Sequence, residues 1–123
     1  MNFNNLKIRH YKTPSQISVA IQHCLENHLY VKGWSFEMWY NHYSTNITDI
    51  IICYHKGEAI ACCVRLDNEE YFGCNFGTFV SPLYRKKGIG KMIVKRMIKT
   101  NKPIYYTGGI DGSLTFYQKC FEQ

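Results

Sequence analysis

The chain has 123 residues, 15 Lys+Arg against 9 Asp+Glu, and a net charge of +6. That length suits one domain, 1–123, and a composition of 46% hydrophobic and 20% charged residues builds a core rather than a disordered tail. No segment reaches the roughly 18 to 20 apolar residues of a membrane helix, and Met1 to Asn5 lacks the charged-then-apolar order of a secretory signal.

The basic balance invites an anionic ligand: cofactor phosphates, nucleic acid or an acidic protein surface. Six cysteines stand at 24, 53, 62, 63, 74 and 120, mostly inside apolar runs. With no C-x-x-C and no Cys/His pairing at zinc spacing, they read as buried thiols of a cytoplasmic protein, and no metal is expected.

Leu6 to Tyr11 alternates in character and reads as a first strand. Thr13-Pro14-Ser15-Gln16 is a helix start: a capping Thr, Pro at the first helical position, and Gln three residues past the cap to bond back. Ile17, Ala20, Ile21, Cys24, Leu25 and Leu29 follow at helical spacing, which predicts a helix to about Tyr30, broken by Gly33. Ser35 caps a second, short helix carrying Phe36, Met38, Trp39, Tyr40 and Tyr43. Asp49 to His55, rich in Ile, is a strand; His55-Lys56-Gly57-Glu58 is a hairpin turn; Ala59 to Leu66 and Tyr71 to Val80 complete a meander. A polar loop over Ser81 to Lys87 leads into a helix from Gly88 to about Thr100. A short strand at Ile104 to Thr107 and a last helix after Asp111 or Ser113 close the chain. The expected class is α/β or α+β: a mixed, mostly antiparallel sheet with helices on both faces, in the order β-α-α-β-β-β-α-β-α.

The most informative segment is Val80-Ser81-Pro82-Leu83-Tyr84-Arg85-Lys86-Lys87-Gly88-Ile89-Gly90-Lys91. A strand feeds a basic, glycine-bearing loop that opens a helix. Amides at a helix N-terminus lack intrahelical partners and carry the positive end of the dipole. Gly88 and Gly90 let a ligand approach, and Arg85, Lys86, Lys87 and Lys91 add charge. The result is a main-chain cradle for a diphosphate. It is neither a Walker A sequence nor G-x-G-x-x-G.

This segment resembles motif A of the GCN5-related N-acetyltransferase (GNAT) superfamily, V-x-P-x-x-R/Q-x-x-G-x-G/A, with Val80, Pro82, Arg85, Gly88 and Gly90 in register. Ser113-Leu114-Thr115-Phe116-Tyr117-Gln118-Lys119-Cys120-Phe121 resembles the family's motif B, A-x-x-(L/F)-Y-x-K-x-G-F. The resemblance implies acetyl-coenzyme A as donor and no metal. It implies that the main chain at Phe79 and Val80 pairs with the pantetheine arm and that the Val80 amide polarises the thioester carbonyl. Amides from Lys86 through Lys91 (Lys86, Lys87, Gly88, Ile89, Gly90, Lys91) hold the diphosphate, and Arg85 opens the loop. Tyr117 falls where many members protonate the departing thiolate, a task suited to a phenol of pKa near 10.

No general base is named. Aligning back from Arg85 puts Cys74 and Asn75 where some members carry a Glu. Glu69, Glu70, His42, His55 and a water chain are alternatives. Ile110 stands where members often have an Asn, Cys120 replaces the motif B glycine, and the sequence runs only two residues past Phe121. A minimal fold or a homodimer covering that side is therefore expected.

Trp34, Trp39 and Tyr40 are weaker substrate-binding candidates beside Cys74 and Asn75. Lys87, Lys91, Lys95 and Lys99 recur every fourth residue opposite Ile89, Ile93 and Met97. That stripe is either a solvated face or a landing surface for nucleic acid or an acidic protein, through Lys91, Lys95 and Lys99. Two function classes follow. One is an enzyme moving acetyl to a primary amine (small molecule, protein or nucleic-acid-associated) by direct attack in a ternary complex. The other is a GNAT-fold binding protein working through its basic helix.

Overall fold

A computed structural model describes residues 5–29, 47–67 and 74–100; for residues 66–67, 74–77 and 100 it describes the main chain. Within them lie β1 (Leu6–Tyr11), α1 (Pro14–Glu26), β2 (Ile47–His55), β3 (Glu58–Asp67), β4 (Cys74–Val80), a 3₁₀ turn (Pro82–Tyr84) and α2 (Ile89–Thr100). The four strands form one antiparallel sheet in the order β1-β2-β3-β4. The expected helix near 35–43, the strand at 104–107 and the last helix lie outside the described residues.

Helix α1 starts as expected. The Thr13 hydroxyl accepts from the Gln16 amide at 3.3 Å, and the Gln16 side chain accepts from the Thr13 amide at 3.2 Å. It ends at Glu26, earlier than the spacing predicts. His28 turns into the left-handed region (φ 55), Leu29 N–H donates to Cys24 C=O at 2.8 Å and His28 N–H to Leu25 C=O at 3.2 Å. These two bonds make a Schellman cap, which drops the buried Leu29 onto the core. The periodic Leu29 belongs to the cap rather than to a further turn.

Sequence alternation becomes two core layers. Ala20, Ile21, Cys24 and Leu25 of α1 pack on Ile50, Ile52, Cys62 and Val64. Ile89, Ile93, Val94 and Met97 of α2 pack on the other face, over Ile51, Cys53, Ala61 and Cys63. The run Ile50-Ile51-Ile52 is thus buried on both sides, which explains why β2 is continuously apolar. Each of these isoleucines contributes about 1.5–3 kcal/mol by leaving water. Cys24, Cys53, Cys62 and Cys63 are buried, as read from the sequence.

One irregularity matters for the site. Cys53 faces Ala61 and Tyr54 faces Ala59, so Ile60 is an extra residue in β3. This β-bulge sends both Ile60 and Ala61 toward α2.

Candidate active site

The loop between β4 and α2 is held at its start by three tethers. The Ser81 amide donates to the carbonyl of the bulged Ile60 at 2.8 Å. Arg85 Nε donates to the Val80 carbonyl at 2.9 Å. The Tyr84 hydroxyl and His55 Nδ1 share a 2.8 Å hydrogen bond. Beyond Arg85 the chain passes through two left-handed residues, Lys86 (φ 63) and Gly88 (φ 83), and enters α2 with the Met92 amide bonded to the Gly88 carbonyl at 3.0 Å.

The main-chain amides between these points are unused. Among the described residues, none of the six amides of Lys86, Lys87, Gly88, Ile89, Gly90 and Lys91 donates to an acceptor. A row of unpaired donors is costly unless water or a ligand satisfies it. They lie at and just before the start of α2, where the helix dipole favours negative charge. Gly88 leaves this space open: no atom lies within 4 Å of where a Cβ would stand, and its backbone conformation strains any other residue. The donor set therefore fits a diphosphate.

The sequence candidates fall as follows. Ser81 bonds inward to β3, so by antiparallel alternation the Val80 amide and carbonyl point away from β3. The Phe79 side chain packs on the α1 face and that of Val80 on the α2 face. Arg85 folds back on Val80 rather than reaching ahead of the loop. Lys86, Lys87 and Lys91 are exposed, and Gly90 is buried. Cys74 and Asn75 lie at the start of β4, opposite Asp67 and Leu66. Trp34, Trp39, Tyr40, His42, Glu69, Glu70 and Tyr117 lie outside the described residues. His55, one alternative for the base, is instead bonded to Tyr84.

Down α2, Gly88, Lys91, Met92, Lys95, Arg96 and Lys99 line a cavity of about 450 Å³. Among the described residues none of its four cations meets a carboxylate. Two buried core thiols, Cys53 on the α2 face and Cys62 on the α1 face, are shifted away from the thiolate. Burial pushes the Cys53 thiol up, against the pull of Arg96. The Cys24 thiol beside it, with burial, pushes Cys62 well up.

The family profile for the acetyltransferase (GNAT) domain matches residues 46–120. The chain belongs to the GNAT acetyltransferase family. It is a GNAT-type acetyltransferase that takes its acetyl group from acetyl-CoA. Among curated proteins, none matches it in sequence. Solved structures share its fold at low identity. A GNAT family acetyltransferase from Streptococcus pneumoniae TIGR4 is 17% identical with TM-score 0.67, over 96% of this chain and 87% of that one. The ribosomal-protein-S18-alanine N-acetyltransferase from Escherichia coli is 12% identical with TM-score 0.62, over 94% and 76%. Aminoglycoside N-acetyltransferase AAC(6')-Iy in complex with CoA is 14% identical with TM-score 0.62, over 96% and 88%. The GNAT likeness read from motifs A and B is thus the right one, on an α+β fold with an antiparallel four-strand sheet and two described helices. Among the described residues, no helix is long and apolar enough to cross a membrane.

Sequence reasoning missed the Ile60 bulge and the His55–Tyr84 bond. For the first, neither strand alone carries a signal, because the mismatch arises only when β2 and β3 pair. Nothing in sequence spacing links positions 55 and 84.

Proposed function

We propose that residues 1–123 act as one acetyltransferase domain, in the element order β-α-α-β-β-β-α-β-α, transferring acetyl to a primary amine in a ternary complex. The observation that supports it is the set of unpaired amides from Lys86 to Lys91. In this reading they hold the diphosphate of acetyl-CoA, which supplies an activated acyl thioester. The edge of β4 at Phe79 and Val80 orients the pantetheine arm, with the Phe79 main chain facing β3, and the outward Val80 amide donates to the thioester carbonyl as charge builds there. Arg85 fixes the Val80 carbonyl and so the entry to the loop. The neutral amine attacks the carbonyl carbon, the C–S bond breaks, Tyr117 gives its proton to the departing sulfur, and the proton shed by the new amide nitrogen returns to Tyr117 through solvent.

Two acceptor classes deserve testing first, because the similar structures include an aminoglycoside and a ribosomal-protein-S18-alanine N-acetyltransferase. The experiment incubates the protein and acetyl-CoA with an aminoglycoside, a peptide with N-terminal alanine, and nucleic acid, and reads a gain of about 42 Da by mass spectrometry. Transfer to an amine supports the reading; CoA binding with no transfer to any acceptor points to a binding protein. Tyr117→Phe is expected to lower turnover much more than CoA affinity.

A second reading is favoured by the α2 cavity. Lys91, Lys95 and Lys99 advance about 6 Å per step along the helix, and Arg96 joins them around the cavity. Only its Gly88 end adjoins the diphosphate cradle. The remainder suits a second polyanion, a nucleic acid or an acidic protein, brought alongside the enzyme.

A further inference from the structure

The loop that carries the free amides has little of its own to fix it. Pro82 and Leu83 are exposed, Arg85 through Gly88 are exposed, and the Arg85 amide reaches the Pro82 carbonyl only at 3.4 Å. Apart from the Arg85 side chain folded back on the Val80 carbonyl, Tyr84 is the exception. Its ring packs against the core beneath α2, and its hydroxyl reaches across to His55.

His55 is itself well placed to act as a fixed post. It ends β2, opposite Leu6 on one side and Glu58 on the other. The turn that follows holds Lys56 and Gly57 at φ 53 and 82, the mirror-image turn that suits a tight hairpin. The imidazole meets the Tyr84 ring edge-on, with centroids 5.5 Å apart at 74°. Among the described residues, this is the only side-chain bond joining the loop to β2.

We infer that His55 is a positioning residue for coenzyme binding. Through Tyr84 it sets where the chain turns at Lys86, and therefore where the amides of Lys86 to Lys91 lie. The Ile60 bulge anchors the loop's first residue and His55 its fourth. Together they pre-organise a donor row that would otherwise be ordered at the expense of affinity. The inference rests on the reading of that row as the diphosphate cradle.

The test is calorimetry of CoA with the wild type, Tyr84→Phe, His55→Leu, the double variant and His55→Asn. Tyr84→Phe keeps the ring and deletes only the oxygen. Each of Tyr84→Phe and His55→Leu is expected to raise Kd about three- to tenfold, the effect of one neutral hydrogen bond. The double variant should be no weaker than the worse single variant, because both delete one bond. His55→Asn places a polar atom near the lost Nδ1 and should return Kd to within about twofold of the wild type. Wild-type binding that neither single variant weakens overturns the inference, even if both lower the unfolding temperature, because the bond then only stiffens the fold. Additive losses in the double variant overturn it as well. A wild type that does not bind CoA overturns the cradle reading itself, and the two failures are told apart by that first titration.

Discussion

The two ends of the sheet treat polar groups in opposite ways. At the Asp49 end, a carboxylate only 4% exposed is fully engaged. Arg65 Nε and the Thr48 hydroxyl each donate to its Oδ1 at 2.6 Å, and His10 Nε2 donates to its Oδ2 at 2.5 Å. At the Val80 end, six consecutive amides have no acceptor and four helix cations meet no carboxylate among the described residues. Burial alone would push the Asp49 carboxyl up, yet hydrogen bonds from Thr48, His10 and Arg65, with the Arg65 charge, hold it below the usual range. One region closes its electrostatics internally and ties β1, β2 and β3 together. The other leaves its main-chain donors without an acceptor among the described residues. The difference separates polar groups satisfied within the fold from polar groups the described fold leaves unsatisfied.

Substitutions at the two ends should therefore fail differently. The largest expected effect is Asp49→Ala, which leaves Arg65 and His10 without their shared anion. It should cost about 3 kcal/mol, or roughly 10 °C in unfolding temperature, measured by thermal denaturation. CoA affinity of the folded fraction should be unchanged. Gly88→Glu should do the reverse, with a smaller loss of stability than Asp49→Ala and at least about a hundredfold weaker CoA binding in calorimetry. The left-handed backbone costs roughly 1–2 kcal/mol, and a carboxylate then occupies the dipole end meant for phosphate. If Gly88→Glu bound CoA normally, the contrast between the ends would collapse.

Charge reversal on α2 sharpens the comparison further. Binding of labelled duplex DNA, if the cavity's four cations engage it, should fall with salt at a slope of about −3 to −4 in log K against log concentration. Lys95→Glu with Lys99→Glu should at least halve that slope. A slope near zero in the wild type would leave the α2 face merely solvated. The smallest effect is acid sensitivity. Asp49 has a lower pKa folded than unfolded, so its contribution is full above the unfolded value near 3.9. It is lost as pH falls through that value and below. Denaturant titrations between pH 6 and 3 should show Asp49→Asn losing less stability than the wild type across this window.

Much of this architecture was legible in the residues. Thr13-Pro14-Ser15-Gln16 states a capping box, and Lys56-Gly57 states a tight hairpin, because each acts within a few residues of itself. The left-handed Gly88 and the start of α2 were legible for the same reason, since both are local; the cradle built on them stays a proposal. What escaped were relations across strands. Asp49, His10 and Arg65 are far apart in sequence and meet only through the β1-β2-β3 register. The bulge at Ile60 is a mismatch between two strands that neither strand shows alone. The end of α1 was misread because Leu29 keeps the helical period while serving the cap. Tyr117 and the aromatic residues from Trp34 to Tyr43 keep their roles as proposals.

The most direct test follows the backbone amides themselves. On titrating CoA into ¹⁵N-labelled protein, the largest amide shift changes should fall on Lys86, Lys87, Gly88, Ile89, Gly90 and Lys91, with Asp49 and Arg65 still. Saturable CoA binding that left those six signals unmoved would contradict the account.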